Sequence, residues 1–96
     1  MEKKDIIAVI QKNSPEIRSR YGVKKMGLFG SYVRGTQKKR SDIDILVSFD
    51  REIDLFDFLD LRQYLEDKLQ SRVDLVMKSA LKPNIGKNIL SQVEYV

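Results

Sequence analysis

The sequence predicts a small α/β domain, a sheet of short strands with helices packed against it. Three observations carry this. The chain has 96 residues, 42% of them hydrophobic, enough for one core and too apolar for a disordered chain. Val23–Phe29, Asp42–Phe49 and Arg72–Met77 read as strands. Asp54–Gln70, between the second and third of these, has helical periodicity, and strand–helix alternation is the pattern of α/β domains.

Taken in order, Asp5–Asn13 predicts a helix with Ile6, Val9 and Ile10 on one face. Ser14-Pro15 reads as an N-cap followed by proline at the first helical position. That would begin a second short helix, carrying Ile17 and Tyr21 and ending near Gly22. The strand Val23–Phe29 runs into Gly30-Ser31. Asp42–Phe49 opens in strict alternation and closes as an apolar run, so at least one of its faces is buried. Asp54–Gln70 places Leu55, Phe58, Leu59, Leu65 and Leu69 within about a third of the helix circumference. Arg62 sits inside that stripe and reads as an i,i+4 partner of Glu66. Arg72–Met77 carries one carboxylate, Asp74. A helix is expected from Pro83 through Gln92, and Val93–Val96 is unassigned. The order is α-(α)-β-turn-β-α-β-α, a single domain over residues 1–96.

The chain contains no cysteine and no histidine. That excludes disulfides, thiolate metal sites, cysteine nucleophiles and Ser-His-Asp chemistry. Catalysis must rest on carboxylates, hydroxyls, lysines, arginines and oxygen-bound hard cations. No apolar run approaches the roughly 18 residues of a spanning helix, and Met1-Glu2-Lys3-Lys4 leads into no signal-peptide core. The expectation is a cytoplasmic protein with no membrane partner.

Eighteen basic and fourteen acidic residues give a net charge of +4, concentrated in the first half. The densest basic stretch is Arg34-Gly35-Thr36-Gln37-Lys38-Lys39-Arg40. Such a run is ordinarily a solvated loop; its functional alternatives are a nucleic-acid backbone and nucleotide phosphates. No aromatic stacking platform is interleaved with it, which weighs against direct nucleic-acid binding.

Three features flank this run: a strand ending in Gly30-Ser31, Asp42-Ile43-Asp44 opening the next strand, and Asp74 in a later one. Each alone is ordinarily structural. Together they make chemical sense. Side chains two apart on a strand share a face, so Asp42 and Asp44 project side by side, and Asp74 joins them if its strand lies alongside. Converging carboxylates repel unless a cation sits between them. An oxygen-only donor set selects Mg²⁺ or Mn²⁺, and two such ions form the clamp used for in-line displacement at phosphorus. Gly30 lets the backbone approach a phosphate, and a helical turn over Ser31–Arg34 would present N–H groups and the Ser31 hydroxyl to it. Arg34 and Arg40, and Ser41 beside Asp42, are further candidate nucleotide contacts.

Gly30-Ser31, ten residues, then Asp42-x-Asp44 matches the GS-x10-D-x-D motif of the DNA polymerase β-like nucleotidyltransferase superfamily. The strings Phe-Gly-Ser-Tyr-Val-Arg-Gly and Arg-Ser-Asp-Ile-Asp-Ile-Leu-Val resemble its minimal nucleotidyltransferase (MNT) branch, and Asp74 in Val-Asp-Leu-Val matches that branch's third carboxylate. The similarity runs from about Val23 to Met77; Val33 stands where an alanine is commoner. The resemblance implies a small mixed sheet flanked by helices. It implies magnesium-dependent transfer of a nucleoside monophosphate from a nucleoside triphosphate to a hydroxyl. Gly30 and Ser31 would hold the triphosphate, and Asp42 and Asp44 two metal ions. Asp74 would complete the site and assist deprotonation of the acceptor.

The roughly 20 residues after Asp74 are too few for an acceptor-binding domain, so the acceptor is expected on a partner. The resemblance implies a HEPN-domain ribonuclease toxin, neutralised by AMP transferred from ATP to a tyrosine. The alternatives are a non-catalytic antitoxin or assembly subunit that masks its partner, and a basic nucleic-acid-binding module.

Overall fold

A computed structural model describes all 96 residues. Helix α1 (Lys3–Tyr21) leads into strand β1 (Val23–Phe29), then a single helical turn α2 (Ser31–Arg34) and strand β2 (Ile43–Phe49). Helix α3 (Leu55–Leu69), strand β3 (Val73–Met77), a 3-10 turn (Lys78–Ala80), helix α4 (Pro83–Gln92) and the two-residue strand β4 (Glu94–Tyr95) follow. The four strands form one mixed sheet in the order β3-β2-β1-β4. β1 pairs antiparallel with β2 and β4, whereas β2 and β3 run parallel because α3 carries the chain back between them. No helix is long and apolar enough to cross a membrane.

The alternation along β2 divides the sheet's two faces. Ile43, Ile45 and Val47 point into the main core with Ile6, Ile10 and Ile17 of α1 and Leu61, Leu65 and Leu69 of α3. Asp44, Leu46 and Ser48 point to the opposite face. There Leu46 is buried without belonging to the main core. The chain after α4 closes over this second face beside Gly27, Leu46's partner in the ladder; a Cβ on Gly27 would come within 2.6 Å of a Val93 methyl.

Three expectations change. The first two predicted helices are one, because Pro15 lies inside α1. Ser14 does not cap a new helix: its hydroxyl accepts from Arg18 Nε at 3.1 Å. The apolar face Ile6, Ile10, Ile17 and Tyr21 runs unbroken across the proline, and its burial outweighs the one backbone bond that Pro15 cannot donate. On α3 the buried face is Leu61, Leu65 and Leu69, with Leu55 and Leu59 exposed, about a sixth of a turn from the expected stripe. Glu66 forms no ion pair with Arg62; its Oε2 accepts from the Val73 backbone N–H at 3.0 Å, tying α3 to the start of β3. The unassigned tail forms β4.

Candidate active site

One end of the second sheet face collects most of the residues singled out in the sequence. β1 ends at Phe29, whose ladder partner is Asp44, and Asp44 is in turn the partner of Asp74 on β3. The carboxylates therefore stand in neighbouring strands on the same face. Asp42 precedes β2 and is exposed, Asp44 is half-buried, and Asp74 is exposed. None has a lysine or arginine within ion-pair distance; the five ion pairs of the molecule lie elsewhere.

Asp44 registers the crowding. Its carboxyl is pushed from 3.8 up to about 6, first by burial, then by the charge of Asp74 and a hydrogen bond shared with it, then by the charge of Asp42. Arg34 acts in the opposite sense. The three carboxylates are not drawn into a ready-made metal cage. Asp44 and Asp74 meet, and Asp42 stands far enough away to repel without closing a third side. A half-buried carboxylate pair with oxygen donors only and no cationic partner fits a hard divalent cation.

The turn after β1 brings Gly30 against this pair. Gly30 has φ 79° and ψ −149°, a conformation open to glycine alone, and a Cβ there would overlap the Asp44 carboxylate. The next turn is closed by Val33 and Arg34 N–H groups bonding the Gly30 carbonyl at 3.1 Å each. Ser31 opens that turn, and Arg34 ends it, its Nη1 donating to Gln92 Oε1 of α4 at 3.1 Å.

Arg40 and Ser41 lie elsewhere. With Lys39 they line a polar cleft whose other wall is Gln70, Ser71 and Arg72, the connection from α3 to β3. The Ser41 hydroxyl accepts from the Lys38 N–H at 2.8 Å and so shapes its own loop. Arg72 also lines a second cleft, with Asp42, Asp74, Arg62 and Glu66. Arg62 and Arg72 at the site were not anticipated. Arg72, two residues before Asp74, is the one that the sequence could have signalled.

A family model described as the nucleotidyltransferase domain matches residues 10–96. The protein adenylyltransferase MntA of Thermococcus cleftensis is 49% identical over 92 residues, covering 96% of this chain and 93% of that one. A chain from the crystal structure of a toxin-antitoxin with AMP-PNP superposes with a TM-score of 0.72 at 30% identity, covering 99% of this chain and 72% of that one. A chain from the structure of tri-AMPylated Shewanella oneidensis HEPN toxin in complex with MNT antitoxin gives 0.61 at 27% identity, covering 96% and 66%.

Proposed function

Because the chain belongs to the nucleotidyltransferase domain family and is a nucleotidyltransferase, we propose that it transfers AMP from ATP to a tyrosine of a partner HEPN-type toxin, and is that toxin's antitoxin. The observation that carries this reading is the Asp44–Asp74 pair, free of any cationic partner and set against the Gly30-Ser31 turn. The named relatives support the choice of AMP and of a protein acceptor: one is a protein adenylyltransferase, and another belongs to a structure of an AMPylated HEPN toxin with its MNT antitoxin.

Each residue then has a task. Gly30 gives the triphosphate close access to the backbone, the Ser31 hydroxyl donates to a phosphate oxygen, and Arg34 offsets its charge. Asp42, Asp44 and Asp74 would hold Mg²⁺, which when bound neutralises phosphate charge and polarises the reacting oxygens. Asp74, exposed at the site's edge, accepts the tyrosine proton. The tyrosine oxygen forms a bond to the α-phosphorus, the bond from the α-phosphorus to the bridging oxygen breaks, and pyrophosphate leaves with the electron pair. A tyrosine has a pKa of about 10, low enough to be ionised in such a site.

The test is incubation of the chain with ATP, Mg²⁺ and its partner, followed by mass spectrometry of the partner. One tyrosine gains AMP with the wild type, and none does with Asp42→Asn or Asp44→Asn. If those variants neutralise toxicity as well as the wild type does, masking of the partner is the mechanism instead.

A further inference from the structure

β3 is an outermost strand of the sheet, and no strand pairs with its free side. The Ile43 N–H bonds the Arg72 carbonyl, and in a parallel ladder the bonding residues of a strand alternate. Arg72, Asp74 and Val76 therefore turn their backbone groups to β2, and Val73, Leu75 and Met77 turn theirs outward. Glu66 accepts from the Val73 N–H at 3.0 Å, which closes the end of this edge nearest the carboxylates. The end at Leu75 and Met77 has no such cover, because the 3-10 turn after β3 folds back against β2. Half of the edge is guarded and half is open.

An apolar surface adjoins the open half. Ile53, Leu55 and Phe58 form a cleft of about 380 Å³ with Leu75, Val76 and Met77. Leu55 and Leu59, one turn apart and exposed, share the flank of α3 that carries Glu66, the flank turned to the β3 edge. Such a surface calls for an occupant that brings both a strand and an apolar helix flank, and the chain itself has both. One register suits a second copy. With β3 antiparallel to its counterpart and Val76 opposite Val76, Leu75 exchanges backbone bonds with Met77 of the second copy, and the Glu66–Val73 bond stays intact. The same register sets Asp74 opposite Lys78 of the second copy, and neither has an ion-pair partner within the chain. Centring the pair on Leu75 would instead require the Val73 N–H that Glu66 holds.

We propose that the chain forms a two-fold dimer in which β3 pairs antiparallel with β3 of a second copy about Val76. The two sheets become continuous, and the Leu55–Leu59 flanks of the two α3 helices pack against each other across the axis. The contact is isologous, each copy offering the same surface, so it closes on itself. A short strand pairing and one apolar flank make a small interface, and the dimer forms only at high concentration. It stands independently of the transfer reaction.

The chain has no cysteine, so a single introduced one reports its own position. Opposed residues that do not exchange backbone bonds stand about 4.5 Å apart at Cα, within the span of a disulfide. Val76→Cys should therefore give a reducible cross-linked dimer under mild oxidation, whereas Ser91→Cys, exposed on α4, should not. In sedimentation equilibrium the wild type should be monomeric at about 1 µM and mainly dimeric at about 500 µM, the range of a small interface. Leu55→Glu should keep the chain monomeric at both concentrations with its circular dichroism unchanged. Added to Val76→Cys, it should cut the cross-linked yield by about tenfold, because it buries an unpaired charge. Equal cross-linking of Val76→Cys and Ser91→Cys would mean random collision and overturn the proposal. A dimer that forms while Val76→Cys stays uncrosslinked would place the contact elsewhere and overturn it too. So would a wild type that is monomeric throughout; if a maleimide label on Val76→Cys then blocks binding of a partner protein, the edge belongs to that partner.

Discussion

Replacing Asp44 by asparagine separates its chemical role from its effect on the fold. The folded carboxyl holds its proton up to about pH 6, while the unfolded chain releases it near 3.8. The folded state thus binds more protons between those values. Asp44's contribution to stability is greatest below about pH 4, falls as pH rises toward 6, and is level above that. The loss is about 1 kcal/mol after allowance for solvent screening at a half-exposed site. Thermal melts of the metal-free protein in EDTA should show a decline between pH 4 and 6 that Asp44→Asn removes, so that at pH 7 the variant melts higher by several degrees. A variant that melts lower at pH 7 would mean that Asp44 stabilises the fold. Gly30→Ala should do the reverse. Its Cβ meets the Asp44 carboxylate and its backbone is closed to alanine, so a loss of about 1–3 kcal/mol accompanies loss of transfer, measurable by urea unfolding and by nucleotide incorporation. At this scale the sequence was informative in part: strand alternation turns Asp44 away from the core face and Gly30 follows β1 directly, whereas the meeting of Asp44 with Asp74 depends on β3 pairing beside β2 across an intervening helix. The opposite facing of Arg34 and Arg40 depends on a loop, and the run of charges has no periodicity from which to read it.

Among the elements, α3 gives the sharpest test. Leu61 is wholly buried and Leu55 is 66% exposed, although periodicity alone placed Leu55 in the core stripe and left Leu61 out. Leu61→Ala should cost about 2–5 kcal/mol, whereas Leu55→Ala should fall within about 0.5 kcal/mol of wild type in the same denaturant titration. The leucines are spread too widely around α3 for the sequence to fix its rotation. The sheet fixes it, through β3 beneath and the Glu66 bond to Val73. Leu55 instead borders an apolar cleft with Ile53, Phe58 and Met77 at the far end of β3. All three long strands lie within a residue of the segments expected, since their apolar runs are bounded by turn residues. α1 was divided in two because proline is a reliable helix starter in isolation, and only the continuous buried face of Ile10 and Ile17 overrides it. β4 left no signal because two residues are too few to show an alternation.

For the molecule as a whole, reactive groups and core occupy different faces of one sheet. The α1–α3 face is packed and apolar, and the carboxylates stand at one end of the other face. Site residues can therefore be exchanged without opening the core, which is why asparagine variants are expected to fold.

The sheet has two outer strands, and they are guarded differently. β4 covers β1 through Gly27–Tyr95 and Leu28–Glu94, the Val96 N–H bonds the Met26 carbonyl at 2.8 Å, and Lys3 clamps Glu94 at 3.0 Å. Without these last residues β1 would present bare amides and carbonyls to other copies of the chain, an open template for strand addition. A variant ending at Val93 should accordingly self-associate as its concentration rises, while Lys3→Ala, which loosens the clamp and leaves the strand in place, should remain monodisperse in sedimentation velocity. On this view β4, the smallest element of the fold, acts as a stopper against polymerisation.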